Sequence, residues 1–297
     1  MNKILVVTLG GTICSSVKEG SVIKLNDAAD RKLIAKANPG FDVFFLSPVF
    51  YSSENADAAL YKQALAGIIE AFNEHKPDGI LILHGTDSMA YFAQLAVRVL
   101  SYLNVPVIIT GSKLPADLPA SDALSNLKYS FGLLGAAIEG KLGSITFGVV
   151  YTEDYMNETL FIPANRVMSA DFNGDYGKFP GKPQVKTLSE KEAAEFLSEE
   201  DKTLLVIPAV PGFPAEKINT EDIDGILIEA FHSGTQAGER LGGLLGRAKQ
   251  AGVKCFLAPC HKGNRQYESF VTLKDKGVTP IYDMPLEGAW AEALISL

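Results

Sequence analysis

Short apolar runs alternate with longer stretches of helical period along the first half of the chain. The run Ile4-Leu5-Val6-Val7 is apolar and largely β-branched, which is the pattern of a parallel strand covered on both faces. Runs at 43–46, 80–83, 105–110 and about 144–150 repeat it. Between them, Ala59, Leu60, Ala64, Leu65, Ile68, Ile69 and Phe72 fall at helical spacing and predict a helix over about 56–75. Pro77-Asp78-Gly79 breaks it. A second helix opens at Ser88 and turns Leu95, Val99 and Leu103 inward. A third, capped by Ser121 or Asp122, reaches about Glu139. Strands alternating with helices in this way predict right-handed crossovers and a mostly parallel sheet.

The pattern weakens after Tyr151. The stretch 151–186 has no clear helical period and reads as a hairpin followed by loop, and 189–202 as a charged linker helix. A second, smaller α/β alternation then predicts strands at 204–207, 225–229, 254–258 and 279–282, with helices near 238–250 and 286–296. The expected organisation is an α/β protein with a larger N-terminal parallel-sheet domain over 1–186, a linker over 187–203 and a smaller C-terminal α/β domain over 204–297.

Composition narrows the function classes. The 297 residues are 47% hydrophobic and 21% charged, ordinary globular values that allow a sizeable core. A formal net charge of −8 without a dominant Lys/Arg cluster argues against nucleic acid and for a small neutral or zwitterionic partner. Cys14, Cys255 and Cys260 are odd in number and contain no CxxC, so a reduced interior with structural cysteines is the simplest account. No run approaches the roughly 20 apolar residues of a membrane span. A soluble, cytoplasmic protein with no membrane partner is expected.

Two strand ends carry the candidate chemistry. The first strand runs into Gly10-Gly11-Thr12, where two glycines permit a tight bend and close approach of a ligand. The strand at 80–83 runs into His84-Gly85-Thr86-Asp87-Ser88-Met89. Ligands of open α/β sheets bind at the carboxyl ends of strands, where both turns would lie. A threonine hydroxyl attacks only with help from a base or relay and with donors for an oxyanion, for which Gly11 and neighbouring N–H groups are candidates. Asp87 would hold a substrate ammonium or, with Thr86, orient a water. Ser52 and Ser53 would offer hydroxyls to a carboxylate. Together these groups suit acyl transfer on a small amino acid. The competing chemistries lack their signatures: there is no GxSxG, no P-loop ending, no GxGxxG after a strand, and no metal-ligand spacing among His75, His84, His232 and His261. His84 reads as a packed or hydrogen-bonded residue more than a catalyst.

With these residues in place, the chain resembles the bacterial-type L-asparaginase/glutaminase family, closest to its cytoplasmic type I branch. Thr8-Leu9-Gly10-Gly11-Thr12-Ile13 is similar to that family's N-terminal signature and His84-Gly85-Thr86-Asp87-Ser88-Met89 to its second. Ser52-Ser53-Glu54, Ile109-Thr110-Gly111-Ser112 and the block 121–127 resemble further family segments. The resemblance implies a flavodoxin-like first domain and hydrolysis of the asparagine side-chain amide to aspartate and ammonia, without metal or organic cofactor. It implies Thr12 as nucleophile and Thr86 with Asp87 as the second threonine and its carboxylate. Gly11, Ser52, Ser53, Gly85 and Ser112 are implied to bind substrate. It also implies a homodimer or homotetramer, with Glu268 as a candidate to reach a neighbouring subunit's site.

Two departures from the family's pattern stand out. No tyrosine precedes Tyr51, and Ser21 falls near the place of the family's lid tyrosine, in a polar stretch after Thr12 that reads as an exposed loop and a mobile lid. Pro163 or Ala164 aligns with the family's lysine, and no lysine lies between Lys141 and Lys178. Arg166 could supply charge, Lys113 is a topological substitute for the lysine, and Tyr155 for the tyrosine. Phe231-His232-Ser233-Gly234-Thr235 also replaces a glycine-rich family segment. Two alternatives therefore accompany asparagine hydrolysis: an amidase for a modified asparagine, glutamine or related amide, and a non-catalytic amino-acid-binding homologue.

Overall fold

A computed structural model describes residues 1–297 apart from 19–21, 27–28, 143–145, 155–156 and 264–265. The chain forms two compact units, Met1–Lys178 with Val185–Glu199, and Phe179–Gln184 with Glu200–Leu297.

The first unit contains strands β1 (Lys3–Thr8), β2 (Ser15–Lys18) and β3 (Val22–Leu25), helix α1 (Ala29–Ala37), β4 (Asp42–Leu46), α2 (Ala58–His75), β5 (Gly79–Leu83) and α3 (Met89–Leu100). These are followed by β6 (Val107–Thr110), α4 (Ala123–Ile138), β7 (Phe147–Glu153), β8 (Glu158–Pro163), β9 (Val167–Ala170), β10 (Tyr176–Lys178) and α5 (Glu190–Ser198). A six-stranded sheet runs in the order β4-β1-β5-β6-β7-β8, parallel except for the β7–β8 hairpin. Its parallel strands thus follow the flavodoxin-like order 2-1-3-4-5.

The central strands β1, β5 and β6 are buried on both faces, as their unbroken apolar runs require. Ile4 and Val6 of β1 face a cluster with Leu81, Leu83 and Ile108 of the sheet, Leu33 and Ile34 of α1, and Leu127, Phe131 and Leu134 of α4. Helices α2 and α3 pack on the sheet as well, with Leu65, Ile68, Phe92, Leu95 and Val99 fully buried. Asp57 caps α2 by accepting the Leu60 N–H, which satisfies one orphan donor of its first turn. Within the stretch expected as a linker, Ser189 and Glu192 form a capping box that starts α5, and α5 packs against α2. Lys62 of α2 donates to the Glu199 carbonyl beyond the end of α5, at 2.6 Å.

The polar stretch after Thr12 departs from the expected exposed loop. Cys14 and Ser15 are buried, and β2 pairs antiparallel with β3 in a hairpin. Its segment 19–21, including Ser21, lies outside the described residues.

The second unit is a smaller three-layer α/β structure. Strands β11 (Leu204–Ile207), β12 (Gly225–Glu229), β13 (Lys254–Cys260) and β14 (Thr279–Tyr282) form a parallel sheet in chain order. Helices α6 (Gly238–Ala251) and α7 (Glu268–Asp275) cover one face through Leu244, Leu245, Ala248, Phe270 and Leu273. Helix α8 (Leu286–Ile295) covers the other through Ala289 and Ala293 against Leu227 and Phe256. All three cysteines are buried thiols, and burial pushes the Cys255 thiol up to about 11 and Cys260 to about 12. Burial of this kind suits a structural role. No helix among the described residues is long and apolar enough to cross a membrane.

Candidate active site

The topology reverses direction at β1: the chain goes from β1 to β4 on one side, then crosses to β5 on the other. The carboxyl ends of β1 and β5 therefore define a switch point, the place where α/β sheets bind ligands. Both threonine turns leave the sheet there. Past β4, a bridge between Gly10 and Tyr51 extends the pairing with β1, so Ser52 and Ser53 arrive at the same edge.

The glycines are needed because backbone meets backbone. Gly11 has φ of 77° and ψ of −175°, a conformation essentially reserved for glycine. A Cβ on Gly11 would stand 2.1 Å from Gly85 Cα, and one on Gly85 2.4 Å from Ser53 Oγ. On the far side, a Cβ on Gly111 would stand 2.6 Å from the His84 carbonyl oxygen and 3.3 Å from Thr86 Cγ2. The turn after β5 is thus wedged between the turn after β1 and the loop after β6.

Thr12 begins a short 3-10 turn, Thr12–Cys14, and is half-buried. Its side-chain hydroxyl makes no hydrogen bond among the described residues. The Gly11 N–H, expected as an oxyanion donor, is already used: it donates to the Tyr51 carbonyl at 3.2 Å, while Tyr51 N–H donates to Leu9. Ser15 Oγ and Cys14 N–H both donate to the Gly11 carbonyl and hold the turn from beneath.

The second turn is bonded more densely. His84 is fully buried, and burial pushes its imidazole down to about 4 against the pull of its hydrogen bond to Gly85. The neutral ring donates from Nδ1 to the Gly85 carbonyl at 2.7 Å, so Nε2 accepts the Tyr51 hydroxyl at 3.0 Å. Both nitrogens are occupied, and the ring stacks on Phe92. His84 is a structural strut for Gly85, consistent with the packed reading. Ser53, 3% exposed, donates to Asp87 Oδ2 at 3.0 Å and accepts the Asp87 N–H at 3.3 Å. Ser88 Oγ donates to the Ser53 carbonyl at 2.7 Å. Asp87 is exposed and its Oδ1 has no hydrogen-bond partner among the described residues. Ser52, next to Ser53 in sequence, is half-buried, while Ser53 is turned to the carboxylate and not outward to a substrate.

Ser112 is also committed within the protein. It is 1% exposed and donates to the Leu114 carbonyl at 2.7 Å. Lys113, next to it, donates to Asp154 at 2.7 Å and to Asp175 at 2.6 Å. Desolvation alone would lower this ammonium's pKa, but the hydrogen bonds to both carboxylates outweigh it and the net shift is upward. Lys113 stays protonated and does not supply a proton acceptor in place of the aligned-away lysine. Pro163 is placed at the wrong end of the sheet: it pairs with Gly148 near the start of β7, whereas Glu153 marks its site end. Five residues of strand separate the two, about 16 Å. Tyr155 lies outside the described residues.

One residue of this region was not singled out by sequence. Tyr176, from β10, is buried and donates from its hydroxyl to the Thr86 carbonyl at 2.6 Å. The 90-residue separation leaves no local signal for the contact.

Comparison with known proteins bears on the fold that carries these turns. Residues 3–147 match the family model described as asparaginase, N-terminal. Over 95% of its length the chain is 26% identical to the D subunit of the glutamyl-tRNA(Gln) amidotransferase of Saccharolobus solfataricus, covering 68% of that protein. Matches to three further proteins of the same name span 20 to 33% of their lengths. An L-asparaginase of Thermococcus kodakarensis is 28% identical over 56% of this chain and 51% of its own. In fold, the crystal structure of a probable cytoplasmic L-asparaginase from Campylobacter jejuni superposes with a TM-score of 0.73, covering 100% of this chain and 95% of that one at 18% identity. Residues 3–147 are therefore similar to an asparaginase N-terminal domain, and the α/β fold of the chain is that of the solved L-asparaginases.

Proposed function

We propose that the chain is an amidohydrolase that cleaves the side-chain amide of L-asparagine, with Thr12 as the nucleophile. The observation that carries this reading is the contact of two glycine-threonine turns at the switch point, with a free hydroxyl on the first and an exposed carboxylate on the second. Thr12 Oγ adds to the amide carbon, the C–N bond breaks, and the hydroxyl proton leaves with the nitrogen as ammonia. Water then cleaves the resulting Thr12 ester, which releases aspartate and restores the hydroxyl. Asp87 Oδ1 is suited to a substrate ammonium, and the Thr86 hydroxyl to orienting the water. Ser52 offers its hydroxyl to the substrate carboxylate. No step calls for a metal or organic cofactor. The setting is cytoplasmic, and the working form is a homo-oligomer.

The committed state of His84 and Lys113 favours a second reading, binding of an amino acid without turnover. Relatives named for an amidotransferase favour a third, an amide other than that of asparagine. Ammonia release from L-asparagine, L-glutamine and their sugar conjugates, with and without Thr12→Ala, separates the three. Release from asparagine that is lost in the variant supports the first. Release only from another amide supports the third. Tight L-aspartate binding with no release from any amide overturns both enzyme readings.

A further inference from the structure

We infer that Tyr176 is a positioning residue that orients the Asp87 carboxylate through the Thr86–Asp87 peptide and Ser53. The Thr86 carbonyl and the Asp87 N–H belong to one peptide unit. Tyr176 donates to its oxygen at 2.6 Å, and its N–H donates to Ser53 Oγ at 3.3 Å. Ser53 in turn donates to Asp87 Oδ2 at 3.0 Å. The three bonds run in one direction, from phenol to peptide to hydroxyl to carboxylate. Donation to a carbonyl polarises the peptide and makes its N–H a better donor, so each bond strengthens the next. Oδ2 is occupied by this chain, which leaves Oδ1 for a ligand.

The phenol is held as a permanent donor. Burial first, and then the nearby Asp87 carboxylate, raise its pKa well above the ordinary tyrosine range, so it stays protonated at any working pH. Its place is fixed by a clamp on the preceding residue. Asp175 Oδ1 accepts Lys113 Nζ and the Asp154 N–H, at 2.6 and 3.0 Å. The Tyr176 ring packs edge-on against Tyr151, whose hydroxyl donates to the Tyr176 carbonyl. Lys113 thus acts in this region by anchoring the β9–β10 hairpin.

The catalytic arm of the test rests on the amidase reading, and the exchange arm does not. Amide hydrogen exchange is measured in the full chain for wild type, Tyr176→Phe, Ser53→Ala and the double variant. Tyr176→Phe is expected to speed exchange at 86–88 by about fivefold, as for loss of one net hydrogen bond, and to leave β5 and β6 unchanged. The same variant is expected to raise KM and the L-aspartate Kd by about fivefold while kcat falls less than about threefold. Ser53→Ala is expected to cost about tenfold or more in KM. Adding Tyr176→Phe to it is expected to change KM by less than about twofold, because both act through one peptide. Unchanged exchange in Tyr176→Phe, or exchange accelerated evenly across the unit, overturns the inference. So does a double variant whose losses multiply. If the wild type releases no ammonia from any amide, the amidase reading falls, and exchange at 86–88 still decides the role of Tyr176.

Discussion

Two threonine turns leave neighbouring strands at the same sheet edge, and they are held in opposite ways. After β1, the Thr12 hydroxyl has no partner among the described residues, and only the backbone around it is bonded. After β5, the His84 ring is tied to Tyr51 and the Gly85 carbonyl, the Thr86 carbonyl to Tyr176 and the Asp87 carboxylate to Ser53. A group that attacks a carbon has to form and lose a bond to it. A group that binds or stabilises charge works best when it is fixed in advance. In the proposed reaction the first turn attacks and the second binds, and the difference in bonding matches that division.

The largest expected effect removes the free hydroxyl. Thr12→Ala should lower amide hydrolysis at least about a thousandfold, about 4 kcal/mol of transition-state stabilisation, with stability within about 1 kcal/mol of wild type. Ammonia release and a thermal melt check the two halves, and retained turnover would erase the distinction between the turns. Next comes the contact that joins them. Gly11→Ala brings a Cβ to 2.1 Å from Gly85 Cα in a left-handed conformation, and should cost more than about 3 kcal/mol in urea unfolding. Gly40→Ala, with a φ of +113° but nothing within 4 Å, isolates the conformational strain and should cost about 1 kcal/mol.

A third effect comes from the strut beneath the second turn. The His84 imidazole is held down to about 4 in the folded chain, against about 6.5 when unfolded. Between these values the unfolded state binds more protons, so stability is full above pH 6.5 and falls as pH drops towards 4. The loss is about 3 kcal/mol at most. Urea melts across that range should show this slope in wild type and not in His84→Gln. The smallest effect concerns the clamp outside the second turn. Lys113→Met should destabilise by about 1 kcal/mol and speed amide exchange in 167–178. A change confined to exposed residues around 113 would detach the clamp from the turn.

Much of this fold was legible because apolar period reports burial. The runs at 4–7 and 80–83 lie within β1 and β5, since strands covered on both faces must be apolar throughout, and those at 43–46 and 204–207 lie within the less buried edge strands β4 and β11. Helix α1 has no clear period because, among its described side chains, it offers Leu33, Ile34 and the small Ala37 to the core between polar neighbours. Helix α7 spans eight residues, too short for a periodic pattern to show. The β2–β3 hairpin was hidden in serines and lysine that resemble loop.

The site divides along the same line. Gly10-Gly11-Thr12 and His84-Gly85-Thr86-Asp87 could be located from sequence because strand, glycine and hydroxyl are contiguous, and local chemistry needs only neighbours in the chain. Tertiary structure alone decided which of those groups are already spent. It turned Ser53 onto Asp87, Ser112 onto Leu114 and the Gly11 N–H onto Tyr51, and set Lys113 between Asp154 and Asp175. It also brought Tyr176 to Thr86 across 90 residues. A buried polar group has to find a partner wherever the fold supplies one, and that partner can lie at any distance along the chain.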